Sequence, residues 1–114
     1  MPTVLVFPAS VSQNKFVIPT GSQKSLGTIN VSTFSKIRVV ASNFPSSPTP
    51  IHLLLTFTSG PGGARVAQLD TIILSPGNQQ TKMYDIPGTF LEIIAVAMPG
   101  QAGQDTVETM IYGN

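Results

Sequence analysis

Residues 51–77 read IHLLLTFTSGPGGARVAQLDTIILSPG, and this stretch decides the fold class. Apolar side chains recur at every second position of its first eight residues, at Ile51, Leu53, Leu55 and Phe57. That period is typical of a β-strand with one buried face. The Gly-rich segment 60–65 then interrupts the pattern, and a second β-branched run follows at 66–74. The stretch therefore predicts two strands joined by a hairpin turn.

Turn-forming residues recur along the chain. The dipeptide Pro-Gly occurs four times, at Pro61-Gly62, Pro76-Gly77, Pro87-Gly88 and Pro99-Gly100. Proline presets φ at the second position of a turn, and glycine accepts the positive φ that a type II turn requires next. Successive pairs start 15, 11 and 12 residues apart. This spacing matches one strand plus one turn in a β-sandwich or barrel.

Further strand-like segments lie on both sides of this region, at 4–7, 16–18, 26–31, 35–41, 80–86, 90–97 and 106–112. In one of them Lys36 and Arg38 alternate with Ile37 and Val39, which predicts one exposed and one buried face. No window keeps a period of 3.6 residues, so we expect essentially no helix. Seven to nine short strands predict an all-β fold, a two-sheet antiparallel β-sandwich with jelly-roll or Ig-like connections. Residues 44–50 are the longest expected loop and the expected crossing between the sheets.

The chain length of 114 residues suits a single domain, 1–114. Residues 1–26 are more weakly patterned, so they form either an N-terminal arm or the first strand. The first eight residues lack the basic residue of a signal peptide, and no stretch approaches the length of a membrane span. Localisation stays open, with an extracellular or particle-surface position favoured.

Three segments resemble small, mostly uncharacterised bacterial single-domain proteins with a jelly-roll-like β-sandwich. They are 29–39 (INVSTFSKIRV), 66–70 (VAQLD) and 84–89 (YDIPGT). The first is also similar to the opening strands of jelly-roll carbohydrate-binding and discoidin-like modules. The resemblance spans residues 27–114 and implies a fold, with no functional residue to transfer.

Residue types that carry chemistry are scarce. There is no cysteine, so disulfides, thiolate metal sites and a cysteine nucleophile are excluded. His52 is the single histidine, and no Gly-x-Ser-x-Gly motif accompanies it. Asp105 and Glu108 are the best pair for calcium, but no Asp-x-Asp-x-Asp loop holds them. We therefore expect no enzyme, no metal and no cofactor.

Charge is low and unevenly distributed. Charged residues make up 10% of the chain, against roughly 25% in an ordinary domain, and the net charge of +1 argues against nucleic-acid binding. All five acids lie at or after Asp70, whereas five of the six bases precede it. Opposite charges either meet across neighbouring strands of one molecule or make a dipolar subunit that docks head to tail.

A strand-rich chain with so few charges predicts a surface that faces other subunits, because interface cores are depleted of charge. We therefore expect a self-associating structural or surface-assembly subunit of coat, fibre or shell type, forming a homo-oligomer. The apolar residues Val4, Leu5, Val6 and Phe7 either add a strand to a neighbour or form the first strand of their own sheet. Lys36 and Arg38 are expected to face acids of a neighbour.

The alternative is a carbohydrate-binding or small-ligand-binding module. Aromatic side chains stack on sugar rings, and Tyr84 and Tyr112 are the candidates for a glycan site. The chain has no tryptophan, the other residue suited to this role.

Overall fold

A computed structural model describes residues 3–60, 62–85, 90–100 and 103–114 of the chain. These residues form nine strands and one short 3-10 turn at Val11–Gln13. The strands are β1 (Val4–Phe7), β2 (Lys15–Pro19), β3 (Gln23–Asn30), β4 (Lys36–Asn43), β5 (Ile51–Thr58), β6 (Arg65–Leu74), β7 (Gln79–Asp85), β8 (Phe90–Ala97) and β9 (Gln104–Gly113). The all-β prediction is confirmed.

The strands form two antiparallel sheets. Sheet A has the order β1-β9-β4-β7, and β2 shares the β1 edge because it also pairs with β9. Sheet B has the order β3-β8-β5-β6. The predicted loop at 44–50 carries the chain from β4 in sheet A to β5 in sheet B. The β6–β7 connection also changes sheet, so the edge strands β6 and β7 lie on the same side of the sandwich.

The core fills the space between the sheets. Ile37, Val39 and Ile111 of sheet A pack towards Leu53, Leu55 and Ile93 of sheet B, and all six are fully buried or nearly so. Lys36 and Arg38 are exposed, as the alternating pattern predicts. The inward face of the sandwich follows directly from the period of two in the sequence.

Strand β5 keeps its alternation to its end. Its register with β8 is unbroken, so Phe57 lies opposite the buried Leu91, continues the inward face and packs half-buried against the core. Thr56, one position earlier, faces outwards and is nevertheless buried. Two bulges interrupt the pairing of β5 with β6, and the extra residues, Leu69 and Val66, lie in β6.

The first strand lies in the sheet of its own chain. Leu5 is opposite Tyr112 and Phe7 is opposite Ile111, so β1 extends sheet A beside β9. The Phe7 ring stacks on Phe16 with centroids 5.6 Å apart. Gly27 makes room for it, because a Cβ there would lie 2.9 Å from Phe7 Cε1. Phe7 is thus a core residue, and within the described residues no strand pairs with the outer edge of β1.

Two of the predicted Pro-Gly turns have a glycine with positive φ among the described residues. Asn78 N donates to Ser75 O at 2.9 Å, and Gly77 between them has φ +85°. Gly62 has φ +70° in the hairpin between β5 and β6, which closes through Gly63 N donating to Gly60 O at 2.8 Å. The Gly-rich segment is a hairpin turn that leads into a strand. Pro87-Gly88 lies outside the described residues.

Candidate functional site

The two acids considered for calcium lie on opposite faces of β9. Asp105 is fully buried, and its carboxylate accepts hydrogen bonds from Thr49 N at 3.1 Å and from the Thr49 hydroxyl. Glu108 lies on the outer face of the same strand, so the two carboxylates do not converge. Groups of three or more metal-ligating side chains are absent from the described residues. Asp105 instead stabilises the 44–50 loop through Thr49. The two acids therefore do not form the calcium site that was considered for them.

His52 lies half-buried on the outer face of sheet B. Its partners across the two neighbouring strands are Ile73 on β6 and Val96 on β8. Neither can orient an imidazole or activate a serine, as a catalytic triad requires. Among the residues that the structure describes, the strand partners of His52 therefore offer no acid–base pairing.

Tyr84 belongs to a hydrogen-bonded cluster that joins the two edge strands β6 and β7. Its hydroxyl donates to Asp70 Oδ2 at 2.6 Å, and Lys82 Nζ lies 3.5 Å from the same oxygen. The Tyr84 bond, followed by Thr71 N and the Lys82 charge, lowers the pKa of Asp70. Burial, reinforced by the ionised Asp70, raises the pKa of Tyr84 well above its usual value. The Tyr84 hydroxyl is therefore already hydrogen-bonded within its own chain.

The two candidate tyrosines lie on opposite faces of sheet A. Tyr84 is opposite Ile37, whose side chain points into the core, whereas Tyr112 is opposite Arg38, whose side chain points outwards. Adjacent residues on a strand point to opposite faces. The structure therefore does not bring Tyr84 and Tyr112 together into one sugar platform.

Tyr112 belongs instead to a row of four side chains that crosses the outer face of sheet A. The register places Leu5 opposite Tyr112, Tyr112 opposite Arg38 and Arg38 opposite Met83. Residues directly opposite in an antiparallel sheet share one face and touch their neighbours. Met83 is 56% exposed, Arg38 is exposed, and Leu5 and Tyr112 are half-buried. We call these four residues the central row.

A second, shorter row lies beside it, where Met110 is opposite Val40 and Val40 is opposite Thr81. Polar and charged residues surround the two rows. At one end Lys36 is opposite Asp85, and at the other Lys15 is opposite Glu108. The outer face of sheet A thus has a largely apolar centre containing one arginine, and a charged rim.

Each sheet has a depression on its outer face. The depression on sheet A has a volume of about 10 Å³, is open to solvent, and is lined by the central-row residues Arg38, Met83 and Tyr112 with Lys36 at the margin. Small-molecule sites usually measure roughly 300–1,000 Å³. This depression is therefore too small and open for such a site.

A larger open groove of about 330 Å³ lies on sheet B, with Leu54 and Ile94 at its floor and Gln23, Thr56 and Gln68 around it. Arg65 crosses β5 at its margin to reach Glu92, with Nε 3.1 Å from Oε1. The Ser25 hydroxyl, and after it Arg65, lower the pKa of Glu92. Sequence reasoning missed this groove, because its residues come from four strands.

The uneven distribution of charge along the sequence is largely balanced between neighbouring strands. Arg65 pairs with Glu92, and Lys82 with Asp70. The register also sets Lys36 opposite Asp85 and Lys15 opposite Glu108. Of the two interpretations of the charge pattern, the fold thus favours opposite charges meeting within one molecule. Arg38, opposite a tyrosine and a methionine, has no acid as a register partner.

Comparison with known proteins shows the fold. No protein-family model matches the chain, and no curated protein matches it. A solved structure of pili from Bacillus endospore appendages has a TM-score of 0.50 at 12% identity, covering 97% of this chain and 88% of that one. A chain of infectious bursal disease virus has a TM-score of 0.54 at 13% identity, and 97% of this chain spans 31% of that one.

The SPBc2 prophage-derived protein YomS has a TM-score of 0.50 at 17% identity, covering 87% of this chain and 93% of that one. The chain is thus similar in fold to small bacterial and viral β-sandwich proteins, as the sequence resemblance implies. Within the described residues, no helix is long and apolar enough to cross a membrane.

Proposed function

We propose that the protein is a non-enzymatic structural subunit that associates with copies of itself through the outer face of sheet A. The observation that supports this most is the composition of that face. Tyrosine, methionine and arginine are enriched in the cores of protein interfaces, and charged side chains are confined to the rim. The central row has this arrangement, and Met83 leaves more than half of its side chain in water.

The fold comparisons are compatible with this role. The endospore appendage structure is described as a disulfide-linked pilus, and the virus chain comes from a particle. Our chain contains no cysteine. Its association would therefore rest on noncovalent contacts, and its place would be a surface or particle.

Two of the sequence predictions join this proposal. Lys36 and Arg38 lie on the associating face, at its rim and in its centre; that they face acids of a neighbour stays a prediction, and Lys36 already lies opposite Asp85 of its own chain. Leu5 of the first strand also lies on this face, through its position opposite Tyr112. Val4 is 46% exposed, and with Val6 it lies on the free outer edge of sheet A, where addition of a neighbouring strand is a further route to assembly.

The test compares two matched substitutions. Met83→Lys places a charge at the proposed interface, and Ile73→Lys places one on the outer face of sheet B, where the side chain is exposed to the same degree, 54% against 56%. Light scattering after size-exclusion chromatography should show an oligomer for the native chain and for Ile73→Lys, and a smaller species for Met83→Lys. Equal masses for the two variants would contradict the choice of face.

Ligand binding is the second candidate function, and the groove on sheet B is the observation that favours it. Its apolar floor at Leu54 and Ile94, with amide and hydroxyl groups around it, suits a small polar ligand such as a sugar. Tyr112 would serve a glycan only from the opposite sheet. A glycan array tests this: saturable binding that is lost in Leu54→Lys and kept in Tyr112→Ala would assign the groove, whereas the reverse would assign Tyr112.

A further inference from the structure

We infer that two copies of the chain pair face to face about a two-fold axis that runs parallel to the strands, between β9 and β4 of sheet A. This inference rests on the proposed function and names its partner, a second copy, and its geometry. It follows from the order of side chains in the central row, which is Leu5, Tyr112, Arg38, Met83 from one edge of the sheet to the other.

The central row is chemically self-complementary under this rotation. A two-fold interface presents the same patch from both copies, so each residue meets the one at the mirrored strand position. Arg38 then lies over Tyr112 of the second copy, and Leu5 meets Met83 of the second copy. Both contacts occur twice. A guanidinium over an aromatic face is attractive, and Arg38 has no acid in register in its own chain.

The neighbouring rows tolerate the same rotation. In the second row Met110 meets Val40 of the second copy, which is an apolar contact. At the rim Glu108 meets Ser42, and Lys15 meets Gln79, so like charges do not face each other. A two-fold axis perpendicular to the strands through the central row would instead set Arg38 against Arg38, which is repulsive at contact distance.

The axis position also tolerates the twist of the sheets. Packed sheets are usually rotated by roughly 30°, which displaces contacts in proportion to their distance from the axis. Tyr112 and Arg38 occupy the two strands that flank the axis, and neighbouring strands are about 4.8 Å apart. The two arginine–tyrosine contacts therefore keep their register while the contacts at the edges shift.

The face is large enough for a specific dimer. Sheet A is four strands wide along its main path, and β4 contributes eight residues to its length. Strand spacing and rise then give a face of about 500 Å² in each copy. Two such faces bury about 1,000 Å², which reaches the minimum for a biological interface and is typical of a weak, reversible dimer.

The decisive experiment uses the absence of cysteine from the native chain. Two single variants, Leu5→Cys and Met83→Cys, are prepared separately and treated, alone and as a mixture, with a short thiol-specific bifunctional cross-linker that spans the shift of the edge contacts. The two-fold arrangement predicts a cross-linked heterodimer in the mixture and little cross-linking in either variant alone, because identical edge residues lie three strand spacings apart across the axis. Cross-linking of Met83→Cys with itself would instead place β7 against β7 and overturn the proposed axis.

A second measurement addresses the arginine–tyrosine contact. Arg38→Ala is expected to weaken dimerisation about tenfold in the dissociation constant, since two cation–π contacts are lost, and Tyr112→Phe should keep the affinity because the ring remains. An unchanged dissociation constant in Arg38→Ala would overturn this contact. If the native chain is dimeric but the mixture does not cross-link, the geometry is wrong and self-association stands; a monomeric native chain overturns both.

Discussion

Removal of the Tyr84 hydroxyl tests how the two edge strands β6 and β7 are held together. In the native chain this hydroxyl donates to Asp70 Oδ2 at 2.6 Å, across the side of the sandwich where both sheets end. In Tyr84→Phe the carboxylate keeps Thr71 N at 2.8 Å and Lys82 Nζ at 3.5 Å. The remaining partners limit the damage, so the variant should fold.

The size of the effect follows from the charge and the exposure of the acceptor. Hydrogen bonds to charged groups contribute about 1.5–3 kcal/mol when they are buried. The Asp70 side chain is 33% exposed, so water replaces part of the lost bond. We expect Tyr84→Phe to lower the free energy of unfolding at neutral pH by about 1–1.5 kcal/mol.

The pH dependence of this difference has a defined sign. The pKa of Asp70 is lowered in the folded chain, so its contribution is present above its unfolded pKa and is lost as pH falls through the folded value. The pKa of Tyr84 is raised in the folded chain. Its contribution to the free energy of unfolding is therefore complete below its unfolded pKa of about 10 and is lost as pH rises above that value. The difference in free energy of unfolding between the native chain and Tyr84→Phe should therefore be largest near neutral pH and decrease at acidic and at alkaline pH.

Urea unfolding followed by circular dichroism measures this gap at acidic, neutral and alkaline pH. Tyr112→Phe is the matched control, because the Tyr112 hydroxyl contacts only Met110 Sδ at 3.5 Å among the described residues. A gap that is the same at all pH values, or equal losses in the two tyrosine variants, would refute the assigned role of the Tyr84–Asp70 bond.

Three further predictions concern stability and use the same urea assay. Gly27→Ala should cost about 1–3 kcal/mol, because the added Cβ would press on the buried Phe7 ring, and an unchanged midpoint would contradict that packing. Asp105→Ala should cost about 2–3 kcal/mol by leaving the buried donors of Thr49 unpaired, whereas full stability would show that the loop is held otherwise. Arg65→Ala should change stability by less than about 1 kcal/mol, since the Arg65 side chain is 55% exposed and Glu92 keeps the Ser25 hydroxyl, and a larger loss would contradict this.

The arrangement of strands was predictable where the period of two is strong. In β5 and β8 the predicted bounds, 51–58 and 90–97, agree with the observed strands, because long alternating apolar runs are bounded by turn residues. Strands β2 and β3 differ from their predicted bounds by one to three residues at their ends, since few apolar residues define them. The bulges of β6 escaped prediction, because they arise from its pairing with β5 and leave no local signal.

The candidate site was only partly accessible to sequence reasoning. Arg38 and Lys36 were identified as exposed from their alternation with apolar neighbours. The central row itself could not be found, because its four residues are distant in sequence and are brought together only by the register of β1, β9, β4 and β7. Tyr84 and Tyr112 look alike in sequence, yet strand register turns one inwards and the other outwards.

Sedimentation velocity of the native chain, from micromolar to millimolar concentration, tests self-association most directly. Because the proposed contacts are noncovalent, the weight-average mass should rise with concentration beyond that of one chain, and the rise should be smaller in Met83→Lys than in Ile73→Lys. A single species with the mass of one chain at every concentration would contradict the proposal that the outer face of sheet A binds further copies.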